Sequence, residues 1–160
     1  MKQLFLFLVI SVTALTSLQS QSGQVSSNLV GPQGEIFKVV DEQPLFSGCD
    51  AEMEFEKRKK CAAEKMLDFI AENLDYPEEA LAKEIEGKVY VMFVVELDGS
   101  ISNIDVVRDL GAGTKEEIIR LIESMPLWEP GRIRGKIVRC QYNLPVQFEL
   151  SPKPKKKRRN

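Results

Sequence analysis

Histidine is absent from the 160 residues. That removes the side chain most often used as a general base near neutral pH, and with it the common serine and cysteine catalytic arrangements. The remaining groups suited to acid–base work are the carboxylate pairs Glu78-Glu79, Glu84 with Glu86, and Glu116-Glu117. They fall at expected helix starts or at a helix–strand junction, where acids favour the helix dipole or face water. No Gly-x-Ser-x-Gly, phosphate loop or dinucleotide fingerprint occurs. The chain is therefore read as no enzyme, and no cofactor is expected.

Cys49, Cys61 and Cys140 are the other reactive groups. Without histidine, a zinc site would need thiolates and carboxylates alone, and no Cys-x-x-Cys spacing exists, so no metal is expected. Cys49 and Cys61 flank the charged stretch Asp50 to Lys60 and lie close enough to close a short loop. In an exported protein their disulfide is the favoured pairing, which leaves Cys140 as the odd thiol. A redox role would need an exposed, low-pKa thiol. Cys140 instead falls on the apolar side of an alternating strand, where free cysteine behaves as a small hydrophobe.

Export is itself a reading of the N-terminus. Lys2 is followed by an apolar run from Leu4 to Leu18 and then by Ser20 and Ser22, the order of a secretory signal peptide over residues 1–22. A spanning helix needs roughly 20 apolar residues, so the run is short for a permanent anchor. A periplasmic location is then expected, with inner-membrane anchoring as the outcome if the segment is not cleaved. Tail residues 151–160 hold Lys153, Lys155, Lys156, Lys157, Arg158 and Arg159. Without these six and Lys2, the body has 15 Lys and Arg against 24 Asp and Glu, or −9. Behind a signal peptide such a tail suits anionic envelope surfaces or an acidic partner rather than nucleic acid.

The elements that would position these residues begin after a spacer. Residues 23–61 lack sustained periodicity and are punctuated by Gly31-Pro32-Gln33-Gly34, Pro44 and Ser47-Gly48, with a short strand expected at Ile36–Val40. Ala63, Met66, Leu67, Ile70 and Leu74 then fall on one helical face. Pro77 opens a second, shorter helix that Gly87 ends. Val89, Val91, Phe93 and Val95 share one face of a strand, and Asp98-Gly99 predicts a two-residue type I′ turn. Ile101 to Arg108 returns as its partner. Thr114 with Glu117 predicts a capping box for a helix carrying Ile118, Leu121, Ile122 and Met125.

The last element alternates most clearly, with Val138, Cys140, Tyr142, Leu144, Val146, Phe148 and Leu150 on one face. Pro145 cannot donate to a ladder, which places this strand at a sheet edge. The expected fold is α+β, in the order helix, helix, strand, strand, helix, strand: a three-stranded antiparallel sheet with helices packed on one face. Trp128 is expected to plug the gap between helix and sheet.

Across residues 62–150 this pattern resembles the C-terminal domain of TonB. The residues carrying the resemblance are Tyr76-Pro77, Ala80, Ile85, Gly87, Val89, Val91, Phe93, Val95, Asp98-Gly99, Ile101 and Val106. Glu117, Met125-Pro126, Trp128-Pro130-Gly131 and the strand to Phe148 continue it. Phe46-x-Gly48-Cys49 with Cys61 is similar to exported TonB-like proteins of the Bacteroidetes type.

The resemblance implies a protein-binding module of outer-membrane transport or energy transduction. It would dock a segment of a protein partner, such as a TonB-dependent outer-membrane receptor, as a strand added beside its last strand. An edge strand suits this, because its open N–H and C=O groups await partners. The contacts are expected over Val138, Arg139, Cys140, Gln141, Tyr142 and Asn143. A spacer of about 40 residues reaches at most ~130–140 Å when extended, and it lacks the long proline-rich tract that TonB-like force transmission would use. A free-standing envelope adaptor, or a domain that self-associates as a homodimer through the same edge, is the alternative.

Overall fold

The computed structural model describes residues 34–150; the expected signal peptide and basic tail lie outside the described residues. Helix α1 covers Phe55–Asn73 and α2 covers Glu78–Ala82. Strands β1 (Gly87–Val95) and β2 (Ile101–Arg108) come next, then α3 (Thr114–Glu123). A small hairpin of β3 (Arg132–Ile133) and β4 (Lys136–Ile137) precedes β5 (Cys140–Phe148). The main sheet has the order β2-β1-β5 and is antiparallel throughout, so β5 is an edge strand as its pattern required.

Helix α1 starts well before Ala62. The residues that follow Phe55, Glu56 to Lys60, are all charged, so no apolar period marks them. Its buried stripe is Ala62, Met66 and Ile70. Ala63 and Leu67 instead face solvent, Leu67 at 61% exposure, so the helix is rotated from the face that its apolar residues suggested.

The central strand supplies the core. Val89, Val91, Phe93 and Val95 are fully covered and meet Ile118, Leu121 and Ile122 of α3 and Leu144, Val146 and Phe148 of β5 in one cluster. Its opposite face is wetter: Tyr90 is exposed, and Val107 of β2 stands beside it at 57% exposure. Trp128 does fill the gap at one end, with its ring 5.6 Å from Phe46, 5.4 Å from Phe93 and 4.9 Å from Tyr142.

Two local expectations are corrected. The β1–β2 turn is not type I′. The Gly99 N–H donates to the Glu96 carbonyl at 3.0 Å and only Gly99 of the turn has positive φ (84°), as in a type I turn closed by a glycine bulge. The expected capping box of α3 is absent as well. Thr114 is the first helical residue, and its hydroxyl donates back to the Gly111 carbonyl at 2.9 Å. Glu117 turns instead toward the α1–α2 link, accepting the Asp75 N–H at 2.7 Å and the Arg120 Nε–H at 2.8 Å.

Residues 34–54 are tied to this body. Cys49 and Cys61 are disulfide-bonded, Leu45 and Phe46 are buried, and the Phe46 ring lies 5.5 Å from that of Phe69. Leu45 exchanges backbone hydrogen bonds with Glu129, and Glu42 with Arg132. This stretch forms a strap across the end of the sheet at which β5 begins.

Two measurements check this packing. A Cβ on Gly99 would sit 2.0 Å from the Trp128 carbonyl oxygen, at a φ that L residues avoid, so Gly99→Ala should cost about 2 kcal/mol or more in urea unfolding. A loss under about 0.5 kcal/mol would contradict the close approach. Paired Cys49→Ser and Cys61→Ser changes should cost about 2–3 kcal/mol, the loop-closure value for a link across 12 positions. An unchanged denaturation midpoint would show that the disulfide adds nothing to stability.

Candidate functional site

Strand β5 pairs with β1 along its whole length, from Gly87 opposite Phe148 to Val95 opposite Cys140. Successive residues of a strand aim their N–H and C=O groups to opposite sides, so only every second residue serves β1. The Gln141 N–H points away from β1, since it donates to the Phe37 carbonyl at 2.9 Å. By alternation, Asn143, Pro145 and Gln147 also direct their backbone groups outward. Pro145 thus occupies a position where a missing N–H costs the sheet nothing.

The six residues singled out from the sequence divide into three kinds. Val138 and Cys140 are buried, each at 1% exposure, and Tyr142 is half-buried against Phe93 and Trp128. Burial pushes the Cys140 thiol above its ordinary pKa, so it has little nucleophilic character. Gln141 and Asn143 lie on the opposite face, joined by a 3.0 Å amide contact. Arg139 is already engaged: its guanidinium donates to Glu96 at 2.7 Å and to the Gly34 carbonyl at 3.3 Å.

One residue missed by sequence reasoning sits on this edge. Phe37 forms a parallel bridge with Cys140, donating its N–H to the Arg139 carbonyl at 2.9 Å and accepting from Gln141. The short strand expected at Ile36–Val40 was the only signal; it does not form, and only the isolated Phe37 bridge stands in its place. The Glu96–Arg139 pair was equally invisible, because no periodicity links positions on a turn and on a distant strand.

Beside the edge lies an open cleft of about 390 Å³ between strap, α1 and β5, with Leu45, Phe46, Met66, Trp128 and Tyr142 in its wall. Lys38 and Lys59 also line it. Among the described residues no group of His, Cys, Asp and Glu could hold a metal ion. No helix among them is long and apolar enough to cross a membrane.

The ion pair at the root of β5 makes a pH test. The hydrogen bond from Arg139, aided by the Ser102 hydroxyl, holds the Glu96 carboxyl below its ordinary pKa against burial and the nearby Asp98 charge. A depressed carboxyl stabilises the fold fully above its unfolded pKa, and that contribution is lost as pH falls through the folded value. Wild type should therefore lose more unfolding free energy than Glu96→Gln between about pH 5 and pH 2. Parallel losses in chemical denaturation would show that the pair adds no pH-dependent stability.

Residues 72–150 match the family described as Gram-negative bacterial TonB protein C-terminal. Among curated proteins no match was found. Among solved structures, the chain is similar to the NMR structure of the Helicobacter pylori TonB C-terminal domain. The identity is 25%, over 57% of this chain and 96% of that one, with a TM-score of 0.44. It is also similar to the Pseudomonas aeruginosa TonB C-terminal domain, at 30% identity over 49% of this chain and 80% of that one, with a TM-score of 0.41. From the family match, with the helix, sheet and edge-strand order that carries it, the domain over residues 72–150 belongs to the TonB C-terminal family.

Proposed function

We propose that this protein is a non-enzymatic, periplasmic binding module that receives a segment of a partner protein as a strand added to the outer edge of β5. The family supports a TonB-like role in envelope transport or energy transduction, and it makes an outer-membrane receptor of the TonB-dependent class the partner of choice. The observation that carries the docking mode is that β5 is paired with β1 on one side, while Asn143 and Gln147 turn backbone donors and acceptors outward. Open strand edges recruit extended segments through main-chain hydrogen bonds, and side-chain pockets beside them add selectivity.

The proposed contact surface is Val138 to Asn143 with its continuation to Gln147. Val138 and Cys140 support it from the core, and Gln141 and Asn143 face the incoming chain. A self-associating domain would use the same edge. The exposed Tyr90 and Val107 on the helix-free face, near Pro145, are the specific feature that favours it.

Substituting Asn143 by proline removes one outward N–H without touching the β1 ladder or the Phe37 bridge. In a pull-down with a solubilised TonB-dependent receptor, Asn143→Pro should lower capture about tenfold, since the lost hydrogen bond and the steric block each contribute. Undiminished capture by a folded variant would rule out the docking edge. A wild-type mass twice that of the monomer in light scattering, abolished by the same change, would favour self-association.

A further inference from the structure

The outer edge of β5 already has an occupant at its start. Phe37 uses both of its backbone polar groups there, bonding the Arg139 carbonyl and the Gln141 N–H at 2.9 Å each, as a partner strand would. Its side chain shares a face with Cys140 across the bridge. The Arg139 guanidinium adds a contact to the Gly34 carbonyl at 3.3 Å.

The strap that delivers Phe37 is built in two parts. Its base is fixed: Leu45 and Phe46 are each 6% exposed, Leu45 and Glu42 pair with Glu129 and Arg132, and the Cys49–Cys61 disulfide ties its C-terminal end to α1. Asp41 also accepts the Arg134 N–H at 2.7 Å. Its tip is lightly held. Ile36 is 38% exposed and Val39 83%, so Phe37 is the main attachment before Asp41. Such a segment can open locally while its base stays in place.

We propose that residues 34–38 are a resident stand-in for the partner strand, guarding the start of the docking edge until the partner displaces them. The inference rests on the reading of β5 as the docking edge and adds a regulatory step to it. An exposed edge is an aggregation hazard, which a covering segment suppresses. A partner that needs the open form binds more weakly by the fraction of molecules in which the edge is free.

The free Cys140 provides the test. Neighbouring strands lie about 4.8 Å apart, and disulfides span Cα separations of about 4.4–6.8 Å. Phe37→Cys should therefore cross-link to Cys140 under mild oxidation and lock the tip shut. The probe is a solubilised TonB-dependent outer-membrane receptor in pull-down with the full chain. The locked protein should capture at least about tenfold less receptor than the same protein after reduction. Phe37→Ser, treated identically, controls for reduction of Cys49–Cys61 and should show no such redox dependence. Phe37→Pro, which lacks the donor to Arg139, should capture more than wild type.

Failure of the two thiols to cross-link in the folded protein even at alkaline pH, where the buried Cys140 thiol can react, would overturn the inference, since the bridge would then not be populated. Cross-linking without loss of capture would overturn it too, while the docking edge would survive if Asn143→Pro still lowered capture. Capture unaffected by either the lock or Asn143→Pro would discard the edge itself.

Discussion

The antiparallel ladder between β1 and β5 is the constraint on which the other features depend. It runs from Gly87–Phe148 to Val95–Cys140 without a register break, and it buries the inner faces of both strands against α3 and α1. The β1–β2 ladder, by contrast, shifts register between Tyr90 and Val91 and again between Met92 and Val94. The regular ladder thus belongs to the strand with the proposed docking edge. A strand held this completely on one side presents its other side in a fixed register, so an added strand meets preorganised donors and acceptors. The Trp128 contacts extend the control: the Trp128 N–H donates to the Gly99 carbonyl at 2.8 Å, locking the β1–β2 turn to the loop that leads toward β5.

The same geometry explains why the Arg139–Glu96 pair matters. Glu96 leaves the end of β1, and Arg139 precedes β5. Their pair closes the corner where the ladder ends and where the strap arrives, and the Ser102 hydroxyl of β2 joins the same carboxylate. Both groups keep partial contact with water, about one fifth exposed. Such a pair fixes geometry more than it adds stability. Its position makes the guanidinium a hinge between the body and the carbonyl of Gly34.

Much of this was legible in residue patterns. Period-two alternation over the last strand, with Pro145 inside it, is enough to specify an edge strand, because proline at an inward-bonding position would break the ladder. Alternation of Val89, Val91, Phe93 and Val95 likewise specified the covered face of β1. The start of α1 was not legible, since Glu56 to Lys60 are all charged and carry no apolar period, while what holds it, Phe55 against the core and Arg58 paired with Glu129, is tertiary. The turn at Asp98-Gly99 was readable as a turn but not as to type, because one positive φ satisfies it when a bulge absorbs the twist. At the candidate site, the edge was readable and its occupant was not. Phe37 reaches Cys140 across about a hundred residues of chain, and nothing in either local sequence records that bridge.

The proposed exchange of the strap tip for a partner strand would have an energetic consequence. Backbone hydrogen bonds made by the partner at Arg139 and Gln141 replace equivalent ones made by Phe37, so they contribute almost nothing net. The tip also has the advantage of its tether, whose effective concentration for a short flexible link is in the millimolar range. A partner present at lower concentration must therefore gain free energy where the tip makes no contact. Two places offer it: the outward groups of Asn143, Pro145 and Gln147, and the cleft walled by Phe46, Met66, Trp128 and Tyr142. A segment that extends along β5 and places a bulky apolar side chain in that cleft gains both terms, whereas one that only copies the Phe37 bridge gains neither. Under the proposed docking, selectivity would then reside in side chains beyond Gln141, where the tip offers no competing contact.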